Sequence, residues 1–120
     1  MTYSIGEFAK LTGISCPTLR YYEQEQLLVV NRDTGGRRYY TPEDIEWILF
    51  IKRLKDTGMP IKEICVYAIL RYQGDSTMRE RLAILEKHRL AVSQEKEKWE
   101  TNLQNLDKKI SLYQEKLNSL

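Results

Sequence analysis

Seven side chains of one chemical kind crowd into a short stretch. Thr18, Arg20, Tyr21 and Tyr22 come first, and Arg37, Arg38 and Tyr39 follow closely. An arginine can fork onto a guanine edge or a phosphate, and tyrosine and threonine hydroxyls bond phosphate oxygens. The chemistry on offer is recognition of a nucleic acid. Bond-making is not indicated: catalysis needs a nucleophile with a base, or a metal site. The 120 residues hold one histidine, His88, and no Ser/His/Asp grouping. Cys16 and Cys65 stand far apart with no Cys-x-x-Cys, so no structural zinc site is expected, and no cofactor. Net charge is only +2, from 19 Lys and Arg against 17 Asp and Glu. Any basic surface must therefore be local.

Those side chains need elements to aim them. Ser4-Ile5-Gly6-Glu7 is a capping box, and Ile5, Phe8 and Ala9 continue it with helical apolar spacing. Gly13 suits the left-handed residue that closes this short helix. Ser15 caps the next one, which tolerates Pro17 in its first turn and runs to about Glu25. Two short helices joined by a tight turn make a helix-turn-helix. Leu27 to Val30 and Arg37 to Tyr40 then flank an Asp-Thr-Gly-Gly turn, which reads as a β-hairpin, a wing. Tyr39 and Tyr40 alternate in direction on its second strand, so one faces the core and the other is left for phosphate.

Thr41-Pro42-Glu43-Asp44 starts a third helix whose core face is Ile45, Ile48, Leu49, Ile51 and Leu54; Gly58 stops it. A fourth runs from Pro60 to about Tyr72, with Ile61, Ile64, Cys65, Ala68 and Ile69 on one face. From Thr77 to about Leu117 the pattern becomes a heptad. Its seam holds Leu82, Leu85, Val92, Trp99, Leu103, Leu106, Ile110, Tyr113 and Leu117, with Arg89 and Lys96 interrupting. At 1.5 Å per residue this helix spans about 60 Å, and an apolar stripe that long implies a homodimer. The expected fold is mainly α. It consists of a winged helix-turn-helix over 1–40, a two-helix connector over 41–75 and a coiled-coil dimerisation helix over 76–120.

Ser4-Ile5-Gly6-Glu7, Thr18-Leu19-Arg20-Tyr21-Tyr22-Glu23 and Arg37-Arg38-Tyr39-Tyr40 with Asp44-Ile45 resemble the MerR family of bacterial transcription regulators. The resemblance is close over roughly residues 3–72 and architectural beyond. It implies an antiparallel coiled-coil dimer with two heads on an inverted repeat inside a promoter whose spacer is too long. An effector then makes the dimer kink and untwist the DNA for RNA polymerase. It places Arg20 and Tyr21 at the DNA surface, matches Arg38 to the family's wing arginine, and gives Lys55 a phosphate contact. Arg37 is either a backbone contact or a solvated charge, and Tyr22 either a DNA contact or core. Lys10, Lys52 and Lys62 read as solvated charge. A DNA-bending accessory protein without effector control is the alternative.

Metal-sensing relatives carry cysteines from the start of the long helix onward. Here that junction is Gly74-Asp75-Ser76-Thr77-Met78, no cysteine follows it, and the chain ends on the coiled coil, so neither a metal loop nor a drug-binding domain is expected. The short form looks like the aldehyde- or electrophile-responsive subgroup. That subgroup places its thiol in the third helix, near the position held here by Arg53, so the thiol switch does not carry over. Cys65 reads as buried filler. Cys16, at a helix N-terminus, is open to modification or is filler. An apolar effector pocket around Cys65, Tyr67, Arg71, Tyr72 and Met78 competes with plain core packing. No apolar run is long enough to span a bilayer and no signal peptide precedes Ser4, so a cytoplasmic protein is expected, free of any membrane.

Overall fold

A computed structural model describes all 120 residues. The element order is α1 (Ile5–Thr12), α2 (Cys16–Gln24), β1 (Asn31–Arg32), β2 (Arg38–Tyr39), α3 (Pro42–Asp56), α4 (Ile61–Gln73), a 3-10 turn (Asp75–Thr77) and α5 (Met78–Asn118). The chain divides into two compact units, Met1–Ile84 and Leu85–Leu120. The start of α5 belongs to the first.

The helix starts are set by their caps. Ser4 accepts from the Glu7 amide while Glu7 accepts from the Ser4 amide at 2.9 Å. Those bonds hold the Glu7 carboxyl below its ordinary value. A lowered carboxylate stabilises the folded state above its unfolded value, and the contribution is lost as pH falls through the folded one. Thr41 and Asp44 repeat the box at α3. Gly13 closes α1 in the left-handed conformation at φ 72°. The end of α2 is different. Gln26, not a glycine, takes positive φ at 63°, and the Leu27 amide reaches back to the Tyr22 carbonyl at 2.9 Å. This left-handed closure turns the chain so that Leu27 and Leu28 enter the core.

The wing is shorter and later than the hydrophobic pattern suggests. Only Asn31–Arg32 and Arg38–Tyr39 pair, antiparallel, with Arg32 opposite Arg38. Leu27 and Leu28 are core anchors, not strand residues; the Leu27 carbonyl accepts the Trp47 indole N–H at 2.8 Å. Asp33 organises the turn by accepting from the Gly35 and Arg37 amides, both at 2.9 Å. Tyr3 forms a bridge to Tyr40, an unforeseen third edge.

Phe8, Leu19, Leu27, Leu28, Ile48, Ile51 and Ile64 fill the core of the first unit. Phe8 stacks on Tyr40 with ring centroids 4.2 Å apart. Tyr40 is the inward member of the tyrosine pair, wholly buried, and its hydroxyl has no hydrogen-bond partner. A buried orphan hydroxyl costs about 1–3 kcal/mol. Tyr40→Phe is therefore expected to raise unfolding free energy by about 1 kcal/mol, read from urea melts at constant m-value.

The buried face of α4 is rotated from the expected one. Ile64, Tyr67 and Ala68 are buried, whereas Ile61 and Ile69 are exposed and Cys65 is half-buried. The cause is aromatic. Trp47 on α3 stacks against Tyr67 at 5.9 Å, and Phe50 flanks both, so the packing follows the 64, 67, 68 stripe. Gly74, at φ 97°, breaks the chain after α4. The Thr77 hydroxyl then donates to the Leu70 or Gly74 carbonyl, while Arg81 donates from Nε to Thr77 at 3.1 Å and from Nη2 to the Gly74 carbonyl at 3.3 Å. Beyond this junction α5 runs for 41 residues without one buried residue. Trp99, Leu103, Leu106, Ile110, Tyr113 and Leu117 of the expected seam are exposed, as is Leu82; Leu85 and Val92 are partly covered.

Candidate nucleic-acid interface

The candidate recognition surface is the outer face of α2. Leu19 and Tyr22 turn inward, one helical step apart, and this sends Arg20 and Tyr21 outward. Of the two alternatives for Tyr22 the structure takes the core one: at 3% exposure its ring is packed inside. Arg20 is exposed and makes no hydrogen bond or ion pair within the chain. All five of its N–H donors are free for a partner. Thr18 is half-buried at the helix start and its hydroxyl is engaged by Ser15 at 2.9 Å. Ser15 also caps the helix through the Thr18 amide. Exposed N-terminal residues on the second helix of such a pair are those that reach base edges in a major groove.

Lys55, distant in sequence, lies beside α2. Its Nζ sits 6.0 Å from the Tyr22 ring centroid. On the wing, Arg37 is exposed and Tyr39 half-exposed. Arg38 is not simply free. Its Nε donates to Glu23 Oε2 at 2.9 Å, which holds the guanidinium pKa above its already high ordinary value. Arg32 donates to the other Glu23 oxygen at 3.1 Å and to the Gly36 carbonyl at 3.0 Å. One carboxylate on α2 therefore clamps both wing strands. Glu23 and Arg32 were assigned no role from sequence. The signal was the cross-strand pairing of Arg32 with Arg38, which appears only once the register is known.

At 25% to 45% side-chain exposure these pairs are worth little as stability, about 1 kcal/mol or less. What they do is tie both wing strands to α2. Glu23→Ala is expected to weaken binding to a specific site about 5- to 150-fold. That is the cost of ordering two long side chains on contact, about 0.5–1.5 kcal/mol each. Binding to unrelated DNA should not fall, because a negative charge has left the surface. Titrations on specific and random duplexes check the ratio; an unchanged ratio would remove Glu23 from the interface.

The expected effector residues are only partly brought together. Tyr67 and Arg71 line a groove of about 330 Å³ that also takes in Trp47 and Phe50, which the sequence did not indicate. Tyr72 instead accepts the Val29 amide through its hydroxyl at 3.1 Å. Met78 is exposed, and neither it nor Cys65 lines the groove. Cys65 approaches the Glu25 carbonyl at 3.8 Å, and burial pushes its thiol up, away from reactivity. Cys16 is half-buried with its sulfur 3.9 Å from the Ile5 carbonyl. Both cysteines are free. No group of His, Cys, Asp and Glu is placed to hold a metal ion, and no helix is long and apolar enough to cross a membrane.

Comparisons with known proteins place the chain among DNA-binding regulators. A model described as "MerR HTH family regulatory protein" matches residues 3–68, and one described as "MerR, DNA binding" matches residues 45–111. An uncharacterised HTH-type transcriptional regulator of Haemophilus influenzae is 37% identical, over 95% of this chain and 85% of its own length. The crystal structure of HiNmlR, a MerR family regulator lacking the sensor domain, bound to promoter DNA, superposes with a TM-score of 0.86 at 37% identity, covering 96% of this chain and 92% of that one. A putative MerR family transcriptional regulator from Listeria monocytogenes gives a TM-score of 0.88 at 31% identity, over 92% and 85% of the two chains.

Proposed function

Because the chain belongs to the MerR family of DNA-binding transcription regulators, we propose that it works as a homodimer that distorts an over-long promoter spacer in response to a small-molecule or stress signal. The observation that carries the dimer is the long apolar stripe of α5, left uncovered by the rest of its own chain. Two copies laid antiparallel along that stripe would present two copies of α2, and an inverted repeat is the matching DNA symmetry. Arg20, Tyr21 and Thr18 read or grip the major groove. Arg37, Arg38 and Tyr39 on the wing and Lys55 beside α2 hold the flanking backbone. Distortion of the spacer then governs whether RNA polymerase engages the promoter, so one protein serves as repressor or activator. DNA bending without effector control remains the second reading, and the long helix argues against it, because simple bending needs no such stalk.

The test is footprinting and transcription on the promoter upstream of the protein's own coding region. A protected inverted repeat, with enhanced chemical reactivity at the centre of the spacer, is expected. Shortening that spacer by two base pairs should make transcription independent of the protein. Protection of a single half-site with an undistorted spacer would overturn the reading.

A further inference from the structure

Two cations, Arg89 and Lys96, interrupt the apolar stripe of α5, and both are exposed in the single chain. Met78, 57% exposed, continues the stripe one step before Leu82. Laid side by side in the same direction, two copies would set Arg89 on Arg89 and Lys96 on Lys96. Laid antiparallel, each cation meets a different residue, and the register decides which. End-to-end overlap of Met78–Asn118 brings Met78 opposite the partner's Leu117. Every seam residue inward from there, as far as Lys96 opposite the partner's Trp99, then faces a seam residue. A slip of one heptad leaves two seam residues at one end of each helix without a counterpart.

The flanking charges select the same register. Positions a and e of one helix lie on the same side of the seam as positions a and e of an antiparallel partner. Lys96 is then level with the partner's Trp99 and the partner's Glu100. Arg89 is level with the partner's Leu106 and the partner's Asp107. Glu100 is already drawn to the seam, its Oε1 lying 3.8 Å from Lys96 Nζ of its own chain. Arg89 and Asp107 have no ion-pair partner in their own chain. A slip of one heptad one way puts Lys96 level with the partner's Ser93. A slip the other way puts Arg89 level with the partner's Gln114. Only end-to-end overlap gives both cations an acid.

We propose that a second copy of this chain covers the stripe in this register, with Lys96 held between the ring of the partner's Trp99 and the carboxylate of the partner's Glu100. Arg89 stands between the partner's Asp107 and Glu86 of its own chain, two acids that would otherwise meet. This names the contacts of the homodimer proposed above and rests on that reading. A polar residue at an a position costs stability and specifies register and orientation, and an ammonium over a tryptophan face offsets part of the cost. The register has a consequence for DNA. A one-heptad slip would move the two starts of α5 about 10 Å relative to one another, about three base-pair steps. The seam cations thereby set the half-site spacing that the dimer can span.

Charge exchange on the full chain tests the register, read as the dimer dissociation constant by sedimentation. An exposed ion pair is worth about 1.5- to 5-fold. Reversal turns attraction into repulsion, and the two-fold axis doubles the effect, so Arg89→Glu is expected to loosen the dimer about 4-fold to about 10³-fold. Adding Asp107→Arg should tighten the Arg89→Glu chain by a factor at least about tenfold larger than its effect on the native chain. The two positions are 18 residues apart, about 27 Å along one helix, so only a contact between copies can couple them. A spin label on Ser111→Cys, in a chain that also carries Cys16→Ser and Cys65→Ser, gives the distance. The two labels should stand about 40 Å apart along the axis, about 10 Å more or less after a one-heptad slip, and side by side in a parallel pair. No coupling between positions 89 and 107, or a label separation off by about 10 Å, would overturn the register while the homodimer stands. A native chain that sediments as a monomer at every concentration would sink the homodimer reading, and the register with it.

Discussion

If the chain pairs along α5 as proposed, Trp99→Asp is expected to convert that dimer to a monomer at micromolar concentration and to lower operator affinity about 10²- to 10⁴-fold. Trp99 is 65% exposed in the isolated chain and lies midway along the uncovered stripe of α5. A tryptophan buries about 150–250 Å² when covered; the 65% of Trp99 still exposed is about 100–160 Å², worth about 2.5–4 kcal/mol at about 25 cal/mol per Å². Two-fold symmetry uses the residue twice. Aspartate removes that area and asks the seam to desolvate a carboxylate on each side. The DNA penalty follows from linkage: two heads on one rigid dimer bind as a single ligand, and separate heads lose the effective concentration. Sedimentation velocity reads the first effect and duplex titration the second. Gln104→Asp, off the seam on the same helix, should leave both unchanged. An unaltered sedimentation mass for Trp99→Asp would mean that the heptad is not the interface.

What could be read from the sequence depends on the range of the forces. The starts of α1, α2 and α3 were legible because their caps are local. Ser4 with Glu7, Ser15, and Thr41 with Pro42 are decided within four residues, and Gly13 marks a left-handed stop. The end of α2 was less legible, since Gln26 carries a left-handed conformation that no glycine advertises. The wing register was misplaced because Leu27 and Leu28 look like strand residues. Their fate is decided by a contact twenty residues away, the Trp47 indole on the Leu27 carbonyl. The inward face of α4 was misjudged for the same reason. An apolar count favours Ile61 and Ile69, but Trp47 pulls Tyr67 in. On the candidate DNA side, residue type offered Thr18, Arg20, Tyr21 and Tyr22 together and the family resemblance picked out Arg20 and Tyr21, which the structure leaves exposed. The Glu23 clamp was not, because it joins α2 to two strands whose alignment no local signal fixes.

Arg20→Ala is expected to weaken binding to the specific site by at least about 30-fold while leaving the fold and the oligomeric state unchanged. Arg20 is exposed on α2 and bonds nothing in its own chain, so its removal should alter unfolding free energy by less than about 0.5 kcal/mol. A good arginine-to-guanine pair carries about 1–3 kcal/mol of discrimination. A symmetric dimer would make the contact twice, so the loss is about 2–6 kcal/mol, or about 30-fold to about 10⁴-fold in affinity for the specific duplex. Lys55→Ala provides the contrast. If Lys55 meets a phosphate, its loss should weaken specific and random DNA alike and flatten the salt dependence by about one unit of slope per contact. The two variants thus separate reading from gripping. Arg20→Ala should change which base pair is preferred at one position of each half-site, and Lys55→Ala should not. Retained affinity and preference in Arg20→Ala would move base recognition off α2 and onto the wing. In that case the wing attitude set by Glu23 would control specificity directly, and Glu23→Ala would become the more damaging substitution.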